Sequence, residues 1–192
     1  VGVTEILAKK CKIKNKSEVM LIMNEKLSVC PITIHIDLKE VSRSLNEDII
    51  IDKIKTINNY FQKYFKKKPK IGVLGLNPHN AEFRKGSEEL NIIQPAILKL
   101  KKQKFNINGP LISDTLFIKD YKKYDVIVGM YHDQVLTPFK SIFDFNAINV
   151  TLGLKYLRVS PDHGTGFNII GKNKGNSLSL IRSIKFVNKL GK

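Results

Sequence analysis

The chain has 192 residues, of which 42% are hydrophobic and 26% are charged. That balance is ordinary for a globular protein, and a chain of this length can bury a core of useful size. It contains no apolar run of about 18 residues, the length that a membrane span requires. The opening VGVTEILAKK lacks the long apolar stretch and cleavage site of a secretory signal peptide. Because the first residue is Val1 and not Met, we expect the sequence to be a fragment whose earlier part is absent.

Positive charge is the least ordinary property of the composition. Lys and Arg number 33 against 17 Asp and Glu, which gives a formal net charge of +16. The lysines are scattered or form short runs at 63–70 and 99–105, at the ends of helix-like segments, where lysines are usually solvated. No RNA-binding signature or zinc finger accompanies them, so we expect no nucleic-acid partner. A positive field does suit a small phosphorylated substrate.

The two cysteines, Cys11 and Cys30, match neither a zinc-binding spacing nor a C-x-x-C motif. Free thiols are typical of a reducing compartment. We therefore expect two reduced thiols in a cytoplasmic protein rather than a disulfide.

The first half of the chain alternates strand-like and helix-like patterns. Buried strands are predicted at 18–23, 27–35 and 70–76, and a short helix at 37–45. A long amphipathic helix is predicted between Asn46 and Pro69, because apolar residues recur there at three- and four-residue steps: Ile50, Ile54, Ile57, Phe61 and Phe65. Another helix is predicted to start at Ser87, a capping residue with acids after it, and to kink or restart at Pro95.

The second half continues this alternation. The composition of NINGP (106–110) predicts a turn, and strands are predicted at 124–130, 145–154 and 156–160. A final amphipathic helix is predicted from about Ser177, with apolar residues on one side: Leu178, Ile181, Ile184 and Val187. Strands that alternate with helices argue for an α/β sandwich.

Three of the four histidines end strand-like runs: His35, His79 and His132. Ligands of α/β proteins bind beyond the carboxyl ends of the strands, so these histidines are candidates to converge there. Neutral imidazole binds zinc and similar ions, and three protein ligands with one open position form a catalytic site. Taken singly, each histidine also fits an ordinary loop residue, and the spacings match no local metal motif.

Further polar residues stand out in the last third of the chain. VSPDHGTGFNIIGKNKGNS (159–177) is punctuated by glycines, which allow close approach of a ligand and favour a cofactor loop over a plain connection. It is not a G-x-G-x-x-G fingerprint, which argues against a Rossmann site. Lys140, Asn149 and Arg158 lie among apolar residues, and cations in such places serve as phosphate or carboxylate clamps or as surface residues.

Five motifs together resemble the 4-hydroxythreonine-4-phosphate dehydrogenase family: GLNPHNAE, INGPLISDTLF, MYHDQ, NVTLGLKYLR and DHGTGFNIIGK. They occur in the order and spacing of that family, and the resemblance covers essentially the whole chain. It implies an α/β/α sandwich of the isocitrate/isopropylmalate dehydrogenase-like type, incomplete at the N-terminus. Residues 1–192 would be the C-terminal part of a dehydrogenase. Roughly 20–150 would form its more complete α/β domain, and the two ends would contribute to a second, truncated domain.

The resemblance also implies an activity. The family oxidises 4-phosphohydroxy-L-threonine with NAD or NADP, and decarboxylation then yields 3-amino-2-oxopropyl phosphate for pyridoxal phosphate (vitamin B6) biosynthesis. A divalent metal ion (Zn, Mg or Co) takes part. By resemblance, His35, His79 and His132 bind this ion at a site shared between the two subunits of a homodimer.

Further roles follow from the same matches. Thr4, Lys140, Asn149 and Arg158 match substrate-binding positions. His163, Gly164, Thr165 and Asn168 lie in the loop that resembles the adenosine-side cofactor loop of the related dehydrogenases. His132 and Asp133 are the catalytic candidates, with Asp133 orienting a ligand histidine from outside the metal's own ligand set.

Two departures from the family pattern leave alternatives open. Val3 replaces a histidine that contacts the substrate, and the family has a substantial portion before this point. Ala81 and Phe83 also occupy positions that the family often gives to glycine. The alternatives are a sister dehydrogenase of threonate or erythronate 4-phosphate, an inactive fragment, and a non-enzymatic basic binding module whose nucleic-acid affinity would fall steeply with salt.

Overall fold

A computed structural model describes residues 3–13, 17–164 and 166–190. The helices are α1 (Val3–Lys10), α2 (Leu38–Ser44), α3 (Glu47–Phe65), α4 (Gln94–Lys102), α5 (Ser113–Leu116), α6 (His132–Phe143) and α7 (Leu178–Leu190). The strands are β1 (Val19–Met23), β2 (Ser28–Pro31), β3 (Ile71–Leu74), β4 (Ile107–Leu111), β5 (Val126–Gly129), β6 (Ile148–Leu152) and β7 (Arg158–Pro161). Within these ranges, no helix is both long and apolar enough to cross a membrane.

The seven strands form one mixed sheet in the order β4-β3-β5-β2-β1-β6-β7. Strands β4, β3, β5 and β2 pair in parallel, whereas β1, β6 and β7 pair antiparallel. The inner parallel strands β2, β3 and β5 are buried along their whole length. This burial explains their continuous apolar runs, since helices cover both faces of a parallel sheet.

Two apolar cores place the sheet between helical layers. The larger core joins one face of the sheet to α2, α3 and α4, with Ile54 and Ile97 among its fully enclosed side chains. The smaller core joins the other face to α6 through Val135, Leu136 and Phe139. The arrangement is the α/β sandwich that the alternating pattern predicts.

Helix α3 shows why the periodic segments were predictable. Asn46 caps it by accepting the backbone N–H of Ile49 at 2.9 Å, and Glu47 and Asp48 lie in its first turn, where acids favour the helix dipole. The helix ends at Phe65, ahead of Pro69, with Lys66 in the left-handed conformation. Its predicted apolar stripe faces the larger core.

The predicted turn at 106–110 is wrong, because Ile107–Leu111 forms β4. Strand β4 lies at the edge of the sheet, where a proline without an N–H donor is tolerated. Gly109 is required there, since a Cβ at this position would lie 2.5 Å from the carbonyl oxygen of Val73. The predicted strand at 27–35 is also too long, since β2 ends at Pro31 and His35 lies on the loop that follows.

Helix α7 forms as predicted, but its apolar side does not face the core. Leu178, Ile181, Ile184 and Val187 are between 38% and 55% exposed, and the side buried against the protein carries Ser179 and Ser183. Ser179 Oγ accepts the Asp162 N–H at 2.8 Å and donates to the Ala147 carbonyl at 2.5 Å. The small serines let the helix approach the sheet closely. The predicted division into a domain at about 20–150 and a second, truncated domain stays a prediction.

Both cysteines are free, as expected, but their surroundings differ. Cys30 is fully buried in β2, and burial raises the pKa of its thiol to about 12, with Lys53 opposing the shift. Cys11 is half-buried.

Because the thiolate is the reactive form of cysteine, we predict that the folded chain reacts with one equivalent of a thiol-specific disulfide reagent at about pH 8, and with two equivalents in denaturant. The Cys11→Ser variant should show no fast phase. A second fast equivalent in the folded wild type would contradict the burial of Cys30.

Candidate functional site

The carboxyl ends of the parallel strands bring two of the predicted metal ligands together. His35 lies four residues beyond the end of β2, and His132 lies three residues beyond the end of β5. Because β2 and β5 are parallel neighbours, both loops leave the same edge of the sheet. The two imidazole rings lie with their centroids 5.9 Å apart and tilted by 41°.

Asp133 holds the half-buried His132 ring. The Nδ1 atom of His132 lies 2.7 Å from Oδ1 of Asp133. A proton on Nδ1 would be donated to this carboxylate, which leaves the Nε2 lone pair available for a ligand. This is the contact expected of a residue that orients a metal-binding histidine.

His79 reaches the same edge by another route. It follows β3, the neighbour of β5, and lies exposed on the short 3₁₀ turn Pro78–Phe83. Across residues 3–13, 17–164 and 166–190, no group of three His, Cys, Asp or Glu side chains is arranged to hold a metal ion. One chain therefore presents the pair His35 and His132, and His79 does not complete a three-ligand cluster with them.

The turn that carries His79 has an unusual backbone. Five consecutive residues without a glycine, His79 to Phe83, have φ between 49° and 56°. The left-handed conformation costs a non-glycine residue about 1–2 kcal/mol, because Cβ approaches the following carbonyl oxygen. Strain of this kind is maintained only where the surrounding structure holds it, and it is common at functional sites.

Three of the four predicted substrate-binding residues, Lys140, Asn149 and Arg158, also lie on one face of the fold. Asn149 pairs with Ile22, and Thr151 pairs with both Met20 and Arg158. Directly paired residues share a face of the sheet. Met20 and Ile22 belong to the smaller core, which packs against α6. Asn149 and Arg158 therefore lie on the face that α6 covers, and Lys140 lies on that helix.

Lys140 is anchored close to this face. Its Nζ donates to the carbonyl oxygen of Asp162 at 2.7 Å and lies 3.4 Å from Oδ2 of the same residue. The Asp162 side chain is only 7% exposed. Burial raises the pKa of this carboxyl, and the charge of Lys140 opposes the shift.

Asn149 and Arg158 have unused hydrogen-bonding capacity. Oδ1 of Asn149 is buried and has no hydrogen-bond partner among the described residues. Nη1 of Arg158 donates to Oγ1 of Thr151 at 3.1 Å. An unsatisfied buried amide in a native protein requires an explanation, and a ligand that donates to it is one.

The predicted cofactor loop is only partly described. His163 is exposed, with Nδ1 3.0 Å from the carbonyl oxygen of its neighbour Gly164. Thr165 and the side chains of Thr4 and Asn168 lie outside the described residues. The roles assigned to these positions therefore stay predictions.

Glu89 is a site residue that the sequence analysis missed. Ser87 caps its segment as predicted, accepting the Leu90 N–H at 3.3 Å. Glu89, however, is fully buried, and its Oε1 accepts the backbone N–H groups of Leu76 (2.8 Å) and Asn77 (2.7 Å). This carboxylate thus fixes the chain just before His79. An acid in the first turn of a helix is so common that the position of Glu89 held no signal of this role.

The fold and the site together define an α/β protein with histidines at the carboxyl edge of its parallel strands, with Lys140 on α6 and with Arg158 on the sheet face that this helix covers. A family model described as "Pyridoxal phosphate biosynthetic protein PdxA" matches residues 1–187, and the chain belongs to this family. It is 45% identical over 172 residues to the 4-hydroxythreonine-4-phosphate dehydrogenase of Sulfurihydrogenibium sp., covering 88% of the chain and 53% of that relative. It is 40% identical over 190 residues to the enzyme of that name from Aquifex aeolicus, covering 98% and 58%.

Solved structures agree on the fold. The 4-hydroxythreonine-4-phosphate dehydrogenase of Klebsiella pneumoniae superposes with a TM-score of 0.83 at 34% identity, covering 100% of this chain and 58% of that one. A terephthalate 1,2-cis-dihydrodiol dehydrogenase from Burkholderia xenovorans LB400 reaches 0.78 at 24% identity, covering 98% and 61%, a likeness that shows the fold alone. The expected isocitrate dehydrogenase-like fold is confirmed. The chain spans a little over half the length of the curated relatives it matches.

The left-handed turn yields a prediction about stability. Phe83 is 39% exposed at φ 52°, whereas the similarly exposed Phe145 (43%) lacks a positive φ. We predict that Phe83→Gly raises the free energy of unfolding by about 1 kcal/mol relative to Phe145→Gly, because glycine adopts the left-handed conformation without strain. Urea unfolding of both variants measures the difference. If the two variants have the same free energy of unfolding, the turn is not strained.

The raised pKa of Asp162 yields a prediction about pH. A carboxyl whose folded pKa lies above its unfolded value of about 3.9 contributes stability at low pH. That stability is lost as the pH rises through the folded pKa. The free energy of unfolding of Asp162→Asn, relative to that of wild type, should therefore increase with pH between the unfolded and the folded pKa of Asp162 and then level off. Thermal unfolding from about pH 3 to about pH 7 would test this, and a difference that stays constant would contradict the raised pKa.

Proposed function

We propose that this chain carries the metal-binding and phosphate-binding parts of a dehydrogenase that uses NAD or NADP. The proposed substrate is 4-phosphohydroxy-L-threonine, which is oxidised at its hydroxyl group and decarboxylated to 3-amino-2-oxopropyl phosphate. This step belongs to pyridoxal phosphate biosynthesis and takes place in the cytoplasm. Support comes from the family match and from the names of the relatives.

The observation that carries the proposal is the ring pair of His35 and His132 with Asp133 bonded to one ring. Three imidazoles with an open position suit Zn²⁺ or Co²⁺ better than Mg²⁺, which prefers oxygen ligands. Such an ion supplies Lewis acidity at the substrate oxygen as negative charge develops there. The His132–Asp133 contact (Nδ1 to Oδ1, 2.7 Å) fixes the ring that would hold it.

The phosphorylated end of the substrate would be bound beside α6. The guanidinium of Arg158 and the ammonium of Lys140 supply positive charge, and the side-chain amide of Asn149 supplies further hydrogen bonds. A substrate held at both ends is oriented, which lowers the barrier to hydride transfer. The Asp162 carboxylate beside Lys140 keeps that ammonium in place before a phosphate arrives.

Since His79 does not complete the cluster in one chain, we propose that it acts in a homodimer, where the site combines His79 of one subunit with His132 of the other. The cofactor would bind along the loop that contains His163, Gly164, Thr165 and Asn168, and Thr4 would contact the substrate. Dimers of this kind are symmetric, so each would hold two equivalent sites.

A sister activity on threonate or erythronate 4-phosphate is the second candidate. The observation that favours it is Val3, which cannot donate the hydrogen bond of the family histidine. These substrates share the phosphate and the secondary hydroxyl group. Competition kinetics between the two substrate classes would therefore separate the candidates.

Metal binding is the first test of the proposed function. We predict that the chelator-treated chain binds Zn²⁺ or Co²⁺ stoichiometrically, and that His132→Ala loses more affinity than the roughly 10- to 100-fold cost of removing an outer partner of a ligand. Isothermal titration calorimetry measures both. His163→Ala is the matched control and should bind like wild type. Equal binding by His132→Ala and wild type would refute the proposed ligand set.

Mixing two defective variants tests the shared site. Neither His79→Ala nor His132→Ala should bind metal well alone. In a random mixture, about half of the dimers are heterodimers, each with one intact site of two, so about a quarter of the sites should return. A mixture that binds no more metal than its components would contradict a site shared between subunits.

A further inference from the structure

We infer that Gln134 is a positioning residue that couples the loop of His132 to the loop of His79. The inference deepens the proposed function, since both histidines belong to the proposed metal site. Gln134 lies in the first turn of α6, two residues after His132. It is the last residue of the MYHDQ motif, and none of the predicted catalytic, metal, substrate or cofactor roles includes it.

The side chain of Gln134 bridges three strand ends. Its Oε1 accepts the backbone N–H of Met130 at 2.7 Å, and its Nε2 donates to the carbonyl oxygen of Gly75 at 2.7 Å and to Oγ of Ser113 at 2.9 Å. Met130 directly follows β5, Gly75 follows β3, and Ser113 lies just beyond β4. One amide therefore joins the carboxyl ends of three parallel strands.

Two glycines make room for this bridge and its surroundings. A Cβ on Gly129 would lie 2.9 Å from Oε1 of Gln134 and 2.5 Å from Cγ1 of Val135. A Cβ on Gly75 would lie 2.1 Å from Oδ1 of Asn80, which is buried. The close approach leaves little space for the strand ends to shift independently.

The far end of the bridge is fixed as well. Gln134 holds the carbonyl of Gly75, and the buried carboxylate of Glu89 holds the N–H groups of the next two residues, Leu76 and Asn77. Nδ2 of Asn80, directly after His79, donates to the carbonyl oxygen of Pro110 at 3.0 Å. The segment that leads into His79 is thus bonded on both sides, and a displacement at Gln134 is transmitted to it.

The chemistry of the position favours glutamine. The contacts require one acceptor and two donors at the end of a long side chain, which is the capacity of a glutamine amide. Methionine has a similar length but provides no donor, and glutamate retains an acceptor while losing both donors. Gln134→Met therefore removes the donated hydrogen bonds and the amide acceptor together, whereas Gln134→Glu removes only the two donated hydrogen bonds.

The ring signals of the histidines report on the coupling without any metal or substrate. We expect Gln134→Met to shift the imidazole NMR signals of both His79 and His132 in the metal-free chain, while the signals of the exposed His163 stay unchanged. With only four histidines, each assigned by a single His→Gln variant, the signals are few enough to follow separately. A His79 signal that stays in place in Gln134→Met would overturn the inference.

Asn24→Leu is the matched control. Asn24 also makes three hydrogen bonds with its amide, accepting the N–H of Lys26 (2.8 Å) and of Leu27 (3.0 Å) and donating to the carbonyl of Asn146 (3.2 Å), but at the opposite edge of the sheet. The Asn24→Leu variant should lower the melting temperature as Gln134→Met does, without moving the ring signals of His79 or His132. If it moves them equally, the shifts reflect general loosening and the inference fails.

Two further measurements keep the test decisive. Should Gln134→Met fail to fold, Gln134→Glu retains the acceptor for Met130 and should move the His79 signal more than the His132 signal. A larger shift of the His132 signal than of the His79 signal would contradict the bridge.

The affinity for Co²⁺ is the second measurement. Gln134→Met should bind Co²⁺ about tenfold more weakly than wild type, and unchanged affinity would refute the positioning role. A wild type that binds no Co²⁺ would overturn the proposed function, while the ring signals would still decide the inference.

Discussion

Parallel pairing of β2, β5, β3 and β4 is the constraint on which the site depends. Parallel neighbours run in the same direction, so the loops that follow them all leave one edge of the sheet. Residues as distant in sequence as His35 and His132 become neighbours without any local motif. The same constraint explains the polar links between these loops, because buried backbone groups beyond the last ladder bond still need partners. The amides and carboxylates at this edge satisfy those groups and fix the loops together.

Helix α6 connects the two ends of the proposed site. It begins with His132 at the edge of the sheet and carries Lys140 eight residues later, which corresponds to about 12 Å along a helix axis. Because Val135, Leu136 and Phe139 pack the helix onto the sheet, it is held as a rigid element. A rigid element suits a site that must hold two ends of one small molecule, since loose positioning by even 1 Å weakens catalysis.

Much of the fold was predictable because its local and overall preferences agree. Periodic apolar residues, a capping Asn46 and the stop before Pro69 all indicate α3. The prediction failed where a local signal has two meanings: Pro110 marks a turn in most contexts, yet an edge strand tolerates it equally well. The ring pair at the strand ends was predictable from placement alone. The left-handed turn of His79 was not, because residues other than glycine rarely adopt that conformation and only the surrounding packing selects it. Glu89 was missed for a similar reason, since its role depends on a loop 12 residues away in sequence.

The serine-lined inner side of α7 has a consequence for motion within the fold. Releasing a helix from a sheet costs free energy in proportion to the apolar surface area that becomes exposed to water. Here most of the apolar side chains of the helix already face water, Ser179 and Ser183 contribute little apolar area, and Phe186 is the large apolar side chain that packs against the larger core. Local unfolding of α7 should therefore require less free energy than opening the central strands, and its amide protons should exchange with solvent well before those of β5. The chain would thus combine a rigid sheet edge, where the histidines lie, with a final helix that opens at a lower cost in free energy.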